Sequence, residues 1–166
     1  MASSLKNLSD QGSISLPLAG KICIGIVVSE WHASITDKLL DGAVKTLLKN
    51  KISQKNIFIT HVPGAFELAL GAQFLAEYHK KADAFICLGC VIQGDTKHFD
   101  FICDASAKAI SDLNLKYNKP FVFGVLTTNN LQQAVDRSGG KHGNKGDEAA
   151  MAALKMIALK KGLLKK

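Results

Sequence analysis

The chain has 166 residues, 47% of them hydrophobic, and a formal charge of +7 at neutral pH. That length and apolar content suit one compact domain with a real core, and no Pro/Ser-rich linker divides the middle to suggest a second. The charge does not indicate nucleic acid. Lys155, Lys160, Lys161, Lys165 and Lys166 crowd the last twelve residues, where they complement a helix C-terminus, and no aromatic-basic interleaving accompanies them.

Residues 1–20, ending SISLPLAG, read as a tail with one short extended segment that could pair with a sheet edge, on this or another subunit. The start lacks the basic region and long apolar core of a signal peptide, and no stretch approaches the ~20 apolar residues of a membrane span. A cytoplasmic location and no membrane partner are therefore expected. From Lys21 to Lys166 a single domain is expected. KICIGIVVS (21–29) is rich in Ile and Val and apolar on both faces, the pattern of a buried strand. Ile35, Leu39, Ala43 and Leu47 follow at helical spacing, widened by Leu40, Val44 and Leu48. NIFITHV (56–62) precedes a helical AFELALGAQFLAEYHKK, and AFICLGCVI (84–92) precedes a helix reaching about Tyr117. PFVFGVLTT (120–128) precedes the short NNLQQAVDRS and a last helix from about Gly146. Strands alternating with helices predict a parallel sheet covered on both sides, a three-layer αβα sandwich with right-handed crossovers. The last helix is apolar around much of its circumference, which fits either a subunit contact or a merely alanine-rich helix.

Four cysteines include the Cys-x-x-Cys pair Cys87 and Cys90. Inside a strand, positions three apart face opposite sides, so neither a shared metal nor a disulfide suits them, and they read as small buried hydrophobes.

Segments entering the strands, KNKISQK, HKKAD and KYNK, are lysine-rich solvated turns. Segments leaving them are SEWH (29–32), VPGAFE (62–67), QGDTKH (93–98) and TTNN (127–130). Parallel sheets bind ligands outside the carboxyl ends of their strands, so this asymmetry argues for a site there. Gly94 through His98 place backbone N–H donors at a helix start suited to an anion, with Thr96 and Lys97 adding a hydroxyl and a charge; plain capping by Asp95 or Thr96 is the alternative. His98 can pass a proton near neutrality, although single histidines are more often structural, and His32 is a lesser candidate at the same edge. His61 and His79 read as strand and surface residues. Trp31, just beyond the first strand, offers a face to a planar heterocycle, or else packs in the core. Glu67 could hold sugar hydroxyls or simply favour a helix N-terminus. DRSGGKHGNKGDE (136–148) lacks Walker spacing. It reads first as a glycine-rich connector between helices, in which Arg137 could grip a phosphate.

VPGAFE, GCVIQGDTKHFDF, FGVLTTNNLQQAVDR and GNKG resemble the 6,7-dimethyl-8-ribityllumazine synthases, in order and across nearly the whole chain from Lys21. The resemblance implies a flavodoxin-like fold with a four-stranded parallel sheet. It implies condensation of 5-amino-6-(D-ribitylamino)uracil with 3,4-dihydroxy-2-butanone 4-phosphate, giving the lumazine, phosphate and water without metal or organic cofactor. Pentamers or sixty-subunit shells are implied, with active sites between subunits. By position, Trp31 would stack on the pyrimidine, and Ala65, Phe66 and Glu67 would bind the ribityl chain and flank the ring. Cys90, Val91 and Ile92 would offer backbone groups to the uracil edge. Asp95 and Thr96 would hold the butanone phosphate, and His98 would be the general acid/base. From a neighbouring subunit, Phe123 would face the pyrimidine and Arg137 would bind phosphate, with Lys145 nearby. Gln93 replaces an arginine of many relatives, and Asp95 should turn its carboxylate outward if its amide serves the phosphate. The absence of an obvious insertion before GNKG mildly favours a shell. Rival readings are an archaeal-type riboflavin synthase, a non-catalytic lumazine or flavin carrier, and a receiver domain; SEWH lacks the paired acids the last requires.

Overall fold

The centre of the sheet is made by the two strands with the most continuous apolar sequence. β1 (Ile24–Ser29) is buried at every position, and β3 (Ala84–Ile92) at all but its last two. In this computed structural model, which describes residues 19–164, β2 (Ile57–Val62) and β4 (Phe121–Thr128) flank them in the order β2-β1-β3-β4. All neighbouring pairs are parallel, with Ile24 against Ile57 and Ala84, and Phe85 against Phe121. The expected tail falls mostly on residues 1–18, outside the described residues; Ala19–Lys21 form a single 3-10 turn.

Two helices cover each face. α1 (Ala33–Lys49) and α5 (Lys145–Leu163) bury Leu39, Leu47, Leu154 and Ile157 against Ile24, Ile26, Ile86 and Leu88. α2 (Leu68–Tyr78) and α3 (His98–Tyr117) bury Leu68, Ala72, Ile110 and Leu113 against Val27, Phe85 and Val125. Fully burying each of the larger side chains contributes about 1.5–3 kcal/mol, so the layers rest on apolar packing. Alternation along β3 sends Cys87 into one core and Cys90 into the other, as a strand period of two requires. The three-layer αβα, flavodoxin-like sandwich is as expected.

Two expectations need correction. The edge strand β2 is not apolar on both faces like the central strands: only Ile57 is buried, Phe58, Thr60 and Val62 are half-buried, and Ile59 and His61 are exposed, with no strand pairing on its outer side among the described residues. Nor is 136–148 a plain connector. After the short α4 (Leu131–Asp136), β5 (Ser138–Gly140) and β6 (Gly143–Asn144) form an antiparallel hairpin. Its strands use left-handed backbone at Gly139 (φ 108°), where the register is irregular, and at Gly143 (φ 83°), conformations that side-chain-bearing residues rarely adopt.

GNKG itself clamps two helices together. Asn144 accepts a hydrogen bond from the Gly146 N–H at 2.8 Å, and its amide donates to the Lys38 carbonyl at 2.8 Å. A Cβ on Gly146 would lie 1.9 Å from the Leu39 carbonyl oxygen, so only glycine permits α5 to start this close to α1. Lys145, between them, is thereby held in a fixed place.

Candidate active site

The carboxyl edge of the sheet is extended by backbone pairing beyond the strands. The Glu30 N–H donates to Val62 O at 2.9 Å, the Trp31 N–H to Pro63 O at 3.2 Å, and the Gln93 N–H to Thr128 O at 2.8 Å. These bonds carry Trp31 out of the core, leaving its indole 71% exposed. His32 then takes a left-handed conformation (φ 61°), and its carbonyl accepts from Ile35 and Thr36 to start α1. The core alternative for Trp31 is thus excluded.

Around it opens a cleft of about 690 Å³. Trp31, Ala65, Phe66, Glu67, Cys90, Val91, Ile92, Thr96 and His98 all line it, as do His32, Pro63, Gly64, Phe99 and Ile102. The 3-10 turn Ala65–Glu67 forms one wall and is tied to α3 by the Ser106 hydroxyl, which donates to Ala65 O at 3.0 Å. Glu67 has a local duty as well: its Oε2 accepts the Gly64 N–H at 3.0 Å and closes the turn. The helix-start reading of that carboxylate is thus observed, and Glu67 also lines the cleft.

His98 is the first residue of α3 and is exposed to the cleft. Its N–H reaches Thr96 Oγ1 at 3.4 Å, a long bond, and the N-cap residue Lys97 makes no side-chain cap. Capping by Asp95 is therefore not what shapes this turn. Asp95, expected at the phosphate, is exposed and does not line the cleft; Lys97 pairs with Asp100 at 3.8 Å. Burial pushes the Cys90 thiol up to about 11 and that of Cys87 to about 12, so at neutral pH both are uncharged and neither is a nucleophile.

Phe123, Arg137 and Lys145 do not join this cleft. They line a second pocket of about 490 Å³, with Thr127, Thr128, Gln133, Asp136 and His142. There Arg137 Nη1 donates to His142 O at 2.8 Å, and Nη2 lies 2.7 Å from Glu148 Oε1. Lys145 Nζ is 3.3 Å from the other oxygen of the same carboxylate. Sequence reasoning did not single out Glu148 or His142. Glu148 stands one turn after Lys145, the i,i+3 spacing at which opposite charges meet on a helix, and that signal was available. Among the described residues no three His, Cys, Asp or Glu side chains come together as a metal site.

A parallel αβα sandwich with an aromatic, an imidazole and an open helix start gathered at the carboxyl edge defines a flavodoxin-like α/β protein with a ligand cleft in the position enzymes of this architecture use. Residues 21–161 match the model of the family described as 6,7-dimethyl-8-ribityllumazine synthase. Proteins of that name are similar along nearly their whole length. One from Cytophaga hutchinsonii is 59% identical over 158 residues, covering 95% of this chain and 98% of the relative. One from Parabacteroides distasonis is 52% identical, covering 95% and 98%, and one from Porphyromonas gingivalis 49% identical, covering 97% and 99%. The chain belongs to the 6,7-dimethyl-8-ribityllumazine synthase family. It is accordingly a transferase of riboflavin biosynthesis, forming the lumazine by condensation, and the rival readings as riboflavin synthase or carrier are not favoured.

Proposed function

We propose that the working site is composite, with the cleft of one subunit facing the charged pocket of its neighbour. The observation that carries this is the division of the candidate residues between two pockets of one chain, one holding stacking and proton-transfer groups, the other Phe123, Arg137 and Lys145. In this reading the pyrimidine of 5-amino-6-(D-ribitylamino)uracil stacks on Trp31, with the backbone at Cys90, Val91 and Ile92 along its uracil edge. Ala65, Phe66 and Glu67 hold the ribityl chain. The helix start at Asp95 and Thr96 and the neighbour's Arg137 and Lys145 hold the phosphate of 3,4-dihydroxy-2-butanone 4-phosphate, while the neighbour's Phe123 closes the ring's other side.

Such fixation replaces a costly bimolecular encounter with an oriented one. The substrate amine attacks the ketone and water leaves as the Schiff base forms. A proton is then removed next to the imine and inorganic phosphate departs. The enol left at the hydroxyl-bearing carbon tautomerises to a ketone, and the second amine closes the ring on that new carbonyl, losing a second water. His98 relays protons in these steps. Gln93, neutral where many relatives carry arginine, leaves more of the phosphate's charge to Arg137 and Lys145.

The assembly we infer is a ring of identical subunits, five or a shell built from such fives. Two exposed apolar stripes on different faces support a head-to-tail contact: Leu70, Phe74 and Tyr78 along α2 with Phe66 in the turn before it, and Met156, Leu159 and Leu163 along α5. Cys23, Cys87, Cys90 and Cys103 are all free thiols, which fits a cytoplasmic setting. No described helix is long and apolar enough to cross a membrane.

Mixing mutants tests the composite site. Subunits carrying His98→Ala and subunits carrying Arg137→Ala, each poorly active alone, are unfolded, combined and reassembled. Random mixing in a head-to-tail ring leaves about a quarter of the contacts with two native halves, and lumazine formation, followed by its absorbance, recovers accordingly. No recovery in correctly sized mixed assemblies refutes the shared site. Light scattering reads the assembly size.

A further inference from the structure

Glu148 lies in the first turn of α5, and no step above uses it. Its carboxylate stands 2.7 Å from Arg137 Nη2 and 3.3 Å from Lys145 Nζ. The Glu148 and Arg137 side chains are only 12% and 14% exposed, so this is not a solvated surface pair. Two cations converge on one shielded carboxylate; without it, they would repel each other and turn toward water. Glu148 Oε1 is buried and makes no aligned hydrogen bond despite its closeness to the guanidinium. Arg137 and Lys145 both line the pocket, so the pair that Glu148 gathers is placed where an anion can enter. The backbone around the group is rigid, since the Lys145 N–H donates to Arg137 O at 2.9 Å and Asn144 clamps α5 to α1.

We propose that Glu148 is a positioning residue for the phosphate of the ketone substrate, gathering Arg137 and Lys145 into one preassembled cation pair. The proposal rests on the reading that Arg137 binds that phosphate.

Steady-state kinetics on the assembled enzyme test it, with inorganic phosphate as a competitive probe. Glu148→Gln is expected to raise both the KM for the butanone phosphate and the inhibition constant of inorganic phosphate about five- to tenfold, as for one weakened charge-assisted contact. The KM for the ribitylaminouracil should stay close to that of the native protein, while the thermal midpoint falls because a shielded pair has lost one partner. Glu148→Asp keeps the charge but withdraws it by one methylene, and should show the same selective rise at about two- to threefold. If Arg137→Ala raises the phosphate constants and neither Glu148 variant does, the proposal is overturned while the phosphate reading stands. If Arg137→Ala leaves them unchanged, both fall. Equal rises in the two KM values mean that Glu148 only supports the fold. Should the Gln variant fail to assemble, an unchanged phosphate constant in Glu148→Asp is enough to overturn the proposal.

Discussion

The cleft beside Trp31 and the pocket around Arg137 differ in how their functional groups are supported. In the cleft, the indole and His98 stand exposed, offering themselves to a ligand, and the surrounding walls are mostly apolar. In the pocket, the charged groups have already satisfied one another: Arg137 and Lys145 share Glu148, and the guanidinium also donates to His142 O. In the composite site we propose, the first region takes a flat, largely neutral ring through burial and stacking, and the second takes an anion on cations held together before it arrives. That proposal divides the work between subunits by physics, dispersion on one side and fixed charge on the other.

Removing His98 should give the largest change. His98→Ala is expected to lower kcat by about 10²–10⁴-fold, the usual contribution of a general acid/base, while leaving activity above the uncatalysed rate, because orientation survives. Single-turnover measurement on the folded, correctly assembled variant checks this, and total loss of activity there would mean that the imidazole does more than relay protons.

The scaffold of the charged region breaks next. Gly146→Ala places a methyl where the Leu39 carbonyl already is, so the backbone must move at a cost of about 3 kcal/mol or more. Urea unfolding should show the loss in its midpoint. A fully stable Gly146→Ala protein would show that α1 and α5 separate easily and that the pocket is less rigid than described. A smaller effect separates the two regions by substrate. Trp31→Ala should raise KM for the ribitylaminouracil about tenfold, Trp31→Phe about threefold or less, with KM for the butanone phosphate unchanged in both, since ring stacking is worth about 0.5–1.5 kcal/mol. Equal changes for the two substrates would erase the contrast between cleft and pocket.

How much of this was visible in the sequence depends on whether the signal was periodic. β1 and β3 declared themselves through continuous Ile, Val and Leu, and the opposite placement of Cys87 and Cys90 followed from the strand period alone. The carboxyl-edge cluster was legible because lysine-rich entry loops contrast with exit loops that carry Trp31, Glu67 and His98. By contrast, β2 has nearly the apolar content of a central strand, and only its place at the sheet edge exposes Ile59. The β5–β6 hairpin was hidden because its glycines read equally well as a loose connector. The partners of Arg137 could not be named either, because the hairpin that brings Glu148 to it is a tertiary fact. Reaction chemistry came from matched motifs, not from any periodicity.

The smallest predicted effect concerns the thiol in the cleft wall. Cys90 contributes to the proposed site through its backbone, and burial keeps its sulfur protonated up to about pH 11. Iodoacetamide at pH 8 should leave Cys90 and Cys87 unmodified in the native assembly, and Cys90→Ala should change kcat/KM by no more than about threefold, a core trimming of limited volume. The same burial has a sign in stability. A thiol released by unfolding ionises from about pH 9, whereas Cys87 resists until about 12. Stability from this group is therefore complete below pH 9 and is lost as pH rises from there to about 12, by on the order of 1 kcal/mol per pH unit. Urea titrations at pH 8 and pH 10 measure the slope, and replacing Cys87 with alanine should flatten it. An alkaline slope that persists unchanged in Cys87→Ala would trace the loss to other groups. Rapid alkylation of Cys90 would be more damaging, since a cleft wall that opens to a reagent at that sulfur could not hold its backbone rigidly against a pyrimidine.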